Sequence, residues 1–192
     1  SGRVGNFIGI RDYRNGDSLR DVNWIATARY GDLVVTEIMN NPAVVTDNVG
    51  EWFEIYNNSG REINLNGLEI GDNGGVSFVV VGDLLVAPDT YVVMGNNADN
   101  TSNGGTTIDY EYNGFSLTNT ADEIVLSVSG SVIDQVAYDD TYPAEAGKSL
   151  NLSAPALSAA SNDDVANWCA ATTSYGAGDF GTPGTANVDC GT

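Results

Sequence analysis

The chain of 192 residues has no histidine, one lysine, two cysteines and two methionines. Without histidine there is no imidazole general base, no Ser-His-Asp or Cys-His nucleophile system and no histidine-ligated catalytic zinc. Lys148 stands in Ala146-Gly147-Lys148-Ser149, which lacks the Gly-x-x-x-x-Gly-Lys spacing of a loop that cradles phosphates. Long apolar runs are missing too. No stretch approaches the roughly 20 apolar residues of a membrane span, and the longest are interrupted by Gly, Asp or Asn. Two cysteines without histidine cannot close a tetrahedral zinc site. Cys169 and Cys190 are expected to be bridged, fastening a glycine-rich tail with about 3 kcal/mol of loop-closure stabilisation and implying an oxidising compartment. The alternative is a pair of reduced, buried thiols.

Basic residues are scarce, 7 against 26 acids, for a net charge of -19. The imbalance is uneven. Residues 1 to 31 carry Arg3, Arg11, Arg14, Arg20 and Arg29 against Asp12, Asp17 and Asp21, a net +2, and the remainder carries Arg61 and Lys148 against 23 acids, a net -21. Such a body repels a phosphate backbone, so nucleic acid is not its expected partner, and solubility and cations are the themes that remain. The four arginines from Arg11 to Arg29 are expected to pair with the three aspartates on a solvated face. Ser1 stands where an initiator methionine or a signal peptide would begin, the expectation for a processed, truncated or engineered start.

What is present points to β-structure. Hydrophobic residues make up 42% and aromatics 9%, enough for a folded core despite the charge, and 23 glycines with frequent Asn and Asp supply turns. The stretch Glu51 to Ile70 organises the pattern. Trp52, Glu54 and Tyr56 alternate with Phe53 and Ile55, then Asn58-Ser59-Gly60 offers a turn, and Ile63 and Leu65 resume alternation, so a β-hairpin is expected there. Leu68 and Ile70 have the opposite parity to Ile63 and Leu65, which predicts a bulge or kink at Asn66-Gly67. Further strands are expected near 34 to 39, 76 to 81, 90 to 95, 106 to 112, 122 to 128 and 131 to 138, with a turn at Asp72 to Gly75 and a long polar loop, mobile or ion-bound, from Asn96 to Gly105. Before them, Phe7 to Tyr13 reads as a strand, Asp17 or Ser18 as an N-cap, and Leu19, Val22 and Ala26 as one face of a short helix. After residue 140 the composition shifts to Ala, Ser, Asn and Gly, with Trp168, Tyr175 and Phe180 as apolar anchors.

Three chemistries fit these residues. A carboxylate-dependent hydrolase needs two acids at a set separation, and Glu37, Glu51, Glu54 and Asp134 are the candidates; their structural alternative is strand carboxylates that are exposed or accept backbone and tyrosine donors. For calcium, the loop from Asp99 matches positions one, five and six of the EF-hand pattern, but Thr101 stands at position three and Tyr110 at position twelve, so it is not an EF-hand. A looser oxygen site from Asp99, Asn97 and Asn103, or from Asp72 and Asp139, would make a calcium-stabilised spacer. Carbohydrate stacking on Tyr110 and Tyr112 is the third; Ile108 shares their face, so core packing is the better expectation.

The string Glu-Trp-Phe-Glu-Ile-Tyr-Asn at 51 to 57, followed by Ile-Asn-Leu-Asn-Gly-Leu-Glu-Ile at 63 to 70, resembles the signature of the lamin tail domain. Val35 to Pro42 is similar to that family's opening strand, and Leu85 to Val93 resembles its Leu-x-Pro-Gly-x-Tyr-x-Val-Val segment, with Asp89 at the glycine position. Leu117 to Leu126 and Val132 to Tyr138 resemble the last two strands, and Gly181 to Asn187 an ending common behind bacterial members. The resemblance implies an all-β, immunoglobulin-like β-sandwich over about residues 34 to 140. It also implies a non-catalytic interaction or attachment module, accessory to a secreted or envelope-associated bacterial protein, with a protein or surface glycan as partner. Residues 7 to 35 separately resemble a motif of an uncharacterised bacterial family associated with MoxR-type ATPases. The expected division is therefore 1 to 32 as a segment of different origin, 33 to 140 as the sandwich and 141 to 192 as an extension packed on it, so that deleting 1 to 32 leaves a folded domain.

Overall fold

The computed structural model of the protein describes residues 30, 32 to 72 and 74 to 191. The strand and helix expected before residue 30, and the arginine pairings there, lie outside the described residues, as does most of the motif over 7 to 35. The rest is a sandwich of strands. A six-stranded sheet runs in the order β12 (Trp168–Ala170), β11 (Leu150–Leu152), β1 (Leu33–Met39), β2 (Trp52–Asn57), β7 (Tyr91–Gly95), β8 (Tyr110–Glu111), antiparallel except for the β7–β8 pair. A four-stranded antiparallel sheet, β10 (Ser131–Tyr138), β9 (Asp122–Val128), β4 (Glu69–Asp72), β5 (Gly75–Val79), faces it, and β3 (Ile63–Asn64) pairs with β6 (Leu85–Val86) at the side. Apart from Tyr30, which is helical, helix among the described residues is confined to α1 (Asp47–Gly50) and two short 3-10 turns.

Alternation explains the core. Phe53 and Ile55 of β2, Val92 and Met94 of β7, and Ile124, Leu126 and Val136 of β9 and β10 point between the sheets and are buried, with Leu150, Leu152 and Trp168 joining the same cluster. The stretch expected as an appended extension thus contributes two strands and core side chains to the larger sheet. Tyr112 is buried against Phe53, Phe78 and Phe115 and Tyr110 stacks on Phe78 at the edge, so core packing holds, but Ile108 does not share their face: it packs against Met39, Trp52 and Val93 on the other side of the sheet.

The hairpin expected over 51 to 70 does not form. β2 pairs with β1 and β7, β3 with β6, and β4 with β5 and β9. The turn after Tyr56 is real, and Asn57 Nδ2 closes it by donating to the carbonyls of Arg61, Val86 and Ala87, but it sends the chain away from β2 instead of back along it. The parity break has the same origin. At Asn66-Gly67, with Gly67 at φ +89°, the chain leaves the side of the sandwich and enters the second sheet, so Ile63, Leu65, Leu68 and Ile70 are all buried without a bulge. Asp89, at the family's glycine position, has φ +58°, a left-handed conformation that aspartate tolerates, and its Oδ1 accepts the Tyr56 hydroxyl.

Candidate functional site

β1 and β2 are buried along their whole lengths, which a sheet covered on one face would not allow. Their outward residues are Glu37 and Met39 on β1 and Trp52, Glu54 and Tyr56 on β2, with Glu37 directly opposite Glu54 and Met39 opposite Trp52. A register shift between Val35 and Glu37 changes the parity of β1, so Val35 before it and Ile38 after it both reach the core while Glu37 turns outward. The C-terminal segment roofs this face. Tyr175 packs edge-on against Trp52 at 5.8 Å and accepts its indole N–H, closing a small apolar cluster of Met39, Trp52 and Val93.

Under this roof Glu37 and Glu54 are both 0% exposed. Glu37 Oε1 accepts from Ser149 Oγ and, at 2.8 Å, from the Thr182 amide; Oε2 lies 3.2 Å from that amide and 3.1 Å from Thr182 Oγ1. Glu54 accepts from Thr36 Oγ1 at 2.8 Å and from the Gly184 amide at 2.7 Å. Asn187 Nδ2 ties the same segment down by donating to the carbonyls of Thr36 and Leu152 at 2.7 and 2.9 Å. Gly181 has to be glycine for the segment to come this close, because a Cβ there would stand 2.9 Å from Glu37 Oε1. Burial pushes the Glu37 carboxyl up to about 7, partly offset by its hydrogen bonds from Ser149 and Thr182. Glu54 is raised well above the usual carboxylate range by burial first and by the charge of Glu37 second.

The other candidate acids lie elsewhere. Asp134 of β10 reaches between the sheets, where its Oδ2 accepts the Val35 amide at 2.7 Å, at the β1 register shift, and Asn162 Nδ2 at 2.8 Å. Asn162 in turn donates to the Val35 carbonyl and accepts the Trp168 indole. Glu51 accepts the Leu117 amide at 3.1 Å and is pushed up to about 7, mainly by burial; burial also raises Asp134. A groove of about 370 Å³ includes Glu51 in its lining, one of about 460 Å³ includes Asp134, and one of about 310 Å³ beside the C-terminal roof is lined by Thr, Ser, Gly, Pro and Tyr with no carboxylate. Glu37, Glu54 and Asp134 share none of these cavities. A two-acid hydrolysis needs its pair to flank a cleft open to substrate.

The residues proposed for calcium act as local turn formers. Asp99 Oδ1 accepts the Thr101 amide and hydroxyl, and Oδ2 accepts Ser102 Oγ, which holds its carboxyl below the usual range. Asn103 is buried, donating to the carbonyls of Asn97 and Thr106 and accepting the amides of Gly105 and Thr106. Asn97 Oδ1 accepts the Asp99 amide. Asp72 and Asp139 accept the amides two residues on, of Gly74 and Thr141. Cys169 and Cys190 form a disulfide with Cα atoms 5.7 Å apart, between β12 and the end of the roofing segment.

Sequence reasoning found the carboxylates and missed what holds them: Ser149, Thr182, Gly184 and Asn187. The string Gly181 to Asn187 was visible as a family-like ending, but Thr and Asn in a glycine-rich tail read as turn chemistry, and only the fold brings them over β1 and β2. The family model described as Lamin Tail Domain matches residues 26–140. The match spans β1 to β10 and stops before β11, β12 and the roof. No curated protein matches the chain. With strands in two facing sheets and a match over more than half its length, the chain belongs to the lamin tail domain family, whose immunoglobulin-like domains are generally non-enzymatic.

Proposed function

We propose that the chain is a non-catalytic interaction or attachment module, an accessory domain of a larger secreted or envelope-associated protein. The observation that carries this reading is the use of its acids. Glu37, Glu51, Glu54 and Asp134 each accept a backbone amide from a distant segment, so the groups best suited to chemistry hold the fold together. The disulfide favours an oxidising location. For the partner, the outer face of the four-stranded sheet is the available surface. Val76 and Val132 are 55% and 54% exposed there and share a shallow groove of about 130 Å³ with Val125, Gly71 and Asp72. The large exposed hydrophobics among the described residues are Val and Leu and include no aromatic, which favours a polypeptide over a glycan, since sugars are held by ring stacking. Glu69, Asp72 and Glu123 lie on the same sheet and no lysine or arginine does, so the complementary partner is an extended, basic, aliphatic segment.

Two assays test the reading. Purified protein, with and without calcium, is expected to hydrolyse no member of a panel of glycan, ester and phosphate substrates; turnover lost in Glu54→Gln or Asp134→Asn with the fold intact would make the chain an enzyme. A fluorescent peptide of alternating valine and lysine is expected to bind in anisotropy titrations and to lose about tenfold or more in affinity, about 1.4 kcal/mol, in the Val76→Asp, Val132→Asp double variant. Binding unchanged in that variant would remove this face as the docking surface.

A further inference from the structure

The roof over β1 and β2 poses a counting problem whose solution goes beyond the module reading. Thr182 Oγ1 makes two oxygen contacts, 3.1 Å to Glu37 Oε2 and 2.9 Å to Asn187 Oδ1, and a hydroxyl has one hydrogen. The orientation of Asn187 is settled by its other end, because Nδ2 donates to two carbonyls that accept only. Its Oδ1 therefore faces Thr182 as an acceptor, and the Thr182 hydrogen is needed there. The contact from Glu37 Oε2 to Thr182 Oγ1 then lacks a hydrogen unless the carboxyl supplies it. Glu37 Oε1 takes the Ser149 hydroxyl and the shorter contact of the Thr182 amide, 2.8 Å against 3.2 Å to Oε2, so Oε2 is the oxygen with more room for a proton. Glu54 differs: both its contacts, Thr36 Oγ1 and the Gly184 amide, are donors to it.

We infer that Glu37 carries a proton on Oε2 in the closed structure, completing the chain Glu37 O–H to Thr182 O–H to Asn187 O, and that this proton latches residues 181 to 188 over the sheet as a strap that opens when pH rises. Ionising Glu37 leaves the contact to Thr182 without a hydrogen and sets a buried negative charge directly across the strands from the Glu54 carboxyl. The titratable groups around the pair are Tyr91 and Asp109 near Glu54, and Tyr175 near Glu37, with Asp179 beyond it beside Tyr175; none is a cation, and Lys148 is paired with Glu145. Among the described residues no cation is recorded beside the pair to offset the new charge. The strap is held at both ends, by the Ser149 amide on the Phe180 carbonyl and by Cys190 in its disulfide, so opening lifts a loop and leaves the chain in place. It uncovers the two carboxylates between those anchors.

Amide hydrogen exchange of Thr182 and Gly184, corrected for intrinsic rates, tests the latch. In the wild type, protection of both amides is expected to fall as pH rises from about 4.5 to about 7, by up to about tenfold per pH unit for a one-proton gate, and to level off above that, while core amides of β9 hold theirs. Glu37→Gln supplies a permanent N–H toward Thr182 and is expected to keep the strap protected across the same range. The same fall in Glu37→Gln as in wild type, or its removal by Glu54→Gln and not by Glu37→Gln, would overturn the assignment. The carboxyl carbon resonance of Glu37, followed by NMR in the wild type, gives a reading that needs no variant: a midpoint in the ordinary carboxylate range would also overturn it, and one near or above neutrality is the expected result.

Discussion

The outer faces of the two sheets have opposite fates. On the six-stranded sheet the tail lies over β1 and β2, and Trp52, Met39, Glu37 and Glu54 are buried to 1% or less. On the four-stranded sheet no part of the described chain returns, and β9 and β10 keep the alternation of buried and accessible residues of a sheet with one wet face. The lesson concerns carboxylates. A glutamate facing outward from a strand is ordinarily solvated, whereas Glu37 and Glu54 were taken out of water by a segment more than a hundred residues away, and backbone donors of that segment offset only part of the cost of their desolvation.

The largest test of the contrast is to truncate one side chain on each face. Trp52→Ala should lose about 3 to 5 kcal/mol in denaturant unfolding, for the lost packing under the roof, while Val132→Ala should change stability by less than about 0.5 kcal/mol. Equal effects would mean that the roof does not exclude water from its face. Removing the disulfide with Cys169→Ala and Cys190→Ala should cost about 3 kcal/mol, measured the same way, and thiol labelling of the unfolded, unreduced wild type should find no free sulfhydryl.

The pH dependence of stability comes next. Glu37 rises from 4.5 to about 7 on folding, so the folded state holds its proton more tightly than the unfolded chain does. Its contribution is complete below about pH 4.5 and is lost as pH rises through about 7, by about 3 kcal/mol for a fully buried carboxyl; Glu54, also raised by burial, adds in the same direction. Thermal melts should therefore show lower stability at mildly alkaline than at mildly acidic pH, and Glu37→Gln should flatten the profile. Stability that rises over that interval would contradict the burial of the pair.

The smallest effect is expected at the N-terminus. The family match begins at residue 26 and Tyr30 is fully buried in the core, its hydroxyl donating to the Asn66 carbonyl. Deleting residues 1 to 25 should leave the melting temperature within a few degrees, whereas extending the deletion through residue 32 should lower it further by removing Tyr30 from the core. Equal melting temperatures for the two deletions would show that Tyr30 contributes nothing.

Most strand positions were legible because period-two alternation is local: β9 and β10 run over the residues whose pattern predicts them, and β1, β2, β5 and β7 begin and end within two residues, whereas the second half of the expected hairpin splits into β3 and β4 and the strand expected over 106 to 112 is only β8. Asp134, Glu37 and Glu54 stood out for the same reason, as acids set among β-branched and aromatic neighbours. Pairing was not legible. Trp52 to Asn57 and Ile63 to Ile70 have the sequence of a hairpin, yet strand partners are chosen by the burial of both faces of β2, and β1 and β7 offered a better match than the neighbouring segment. The protonated latch was hidden more deeply still. Composition, alternation and turn signals are properties of residues close in sequence, and these alone determined that the chain is an acidic β-sandwich with a bridged tail. Only the tertiary structure decided that Thr182 and Asn187 meet Glu37, because a carboxyl's protonation depends on which donors and acceptors surround it in space, and here they come from the far end of the chain.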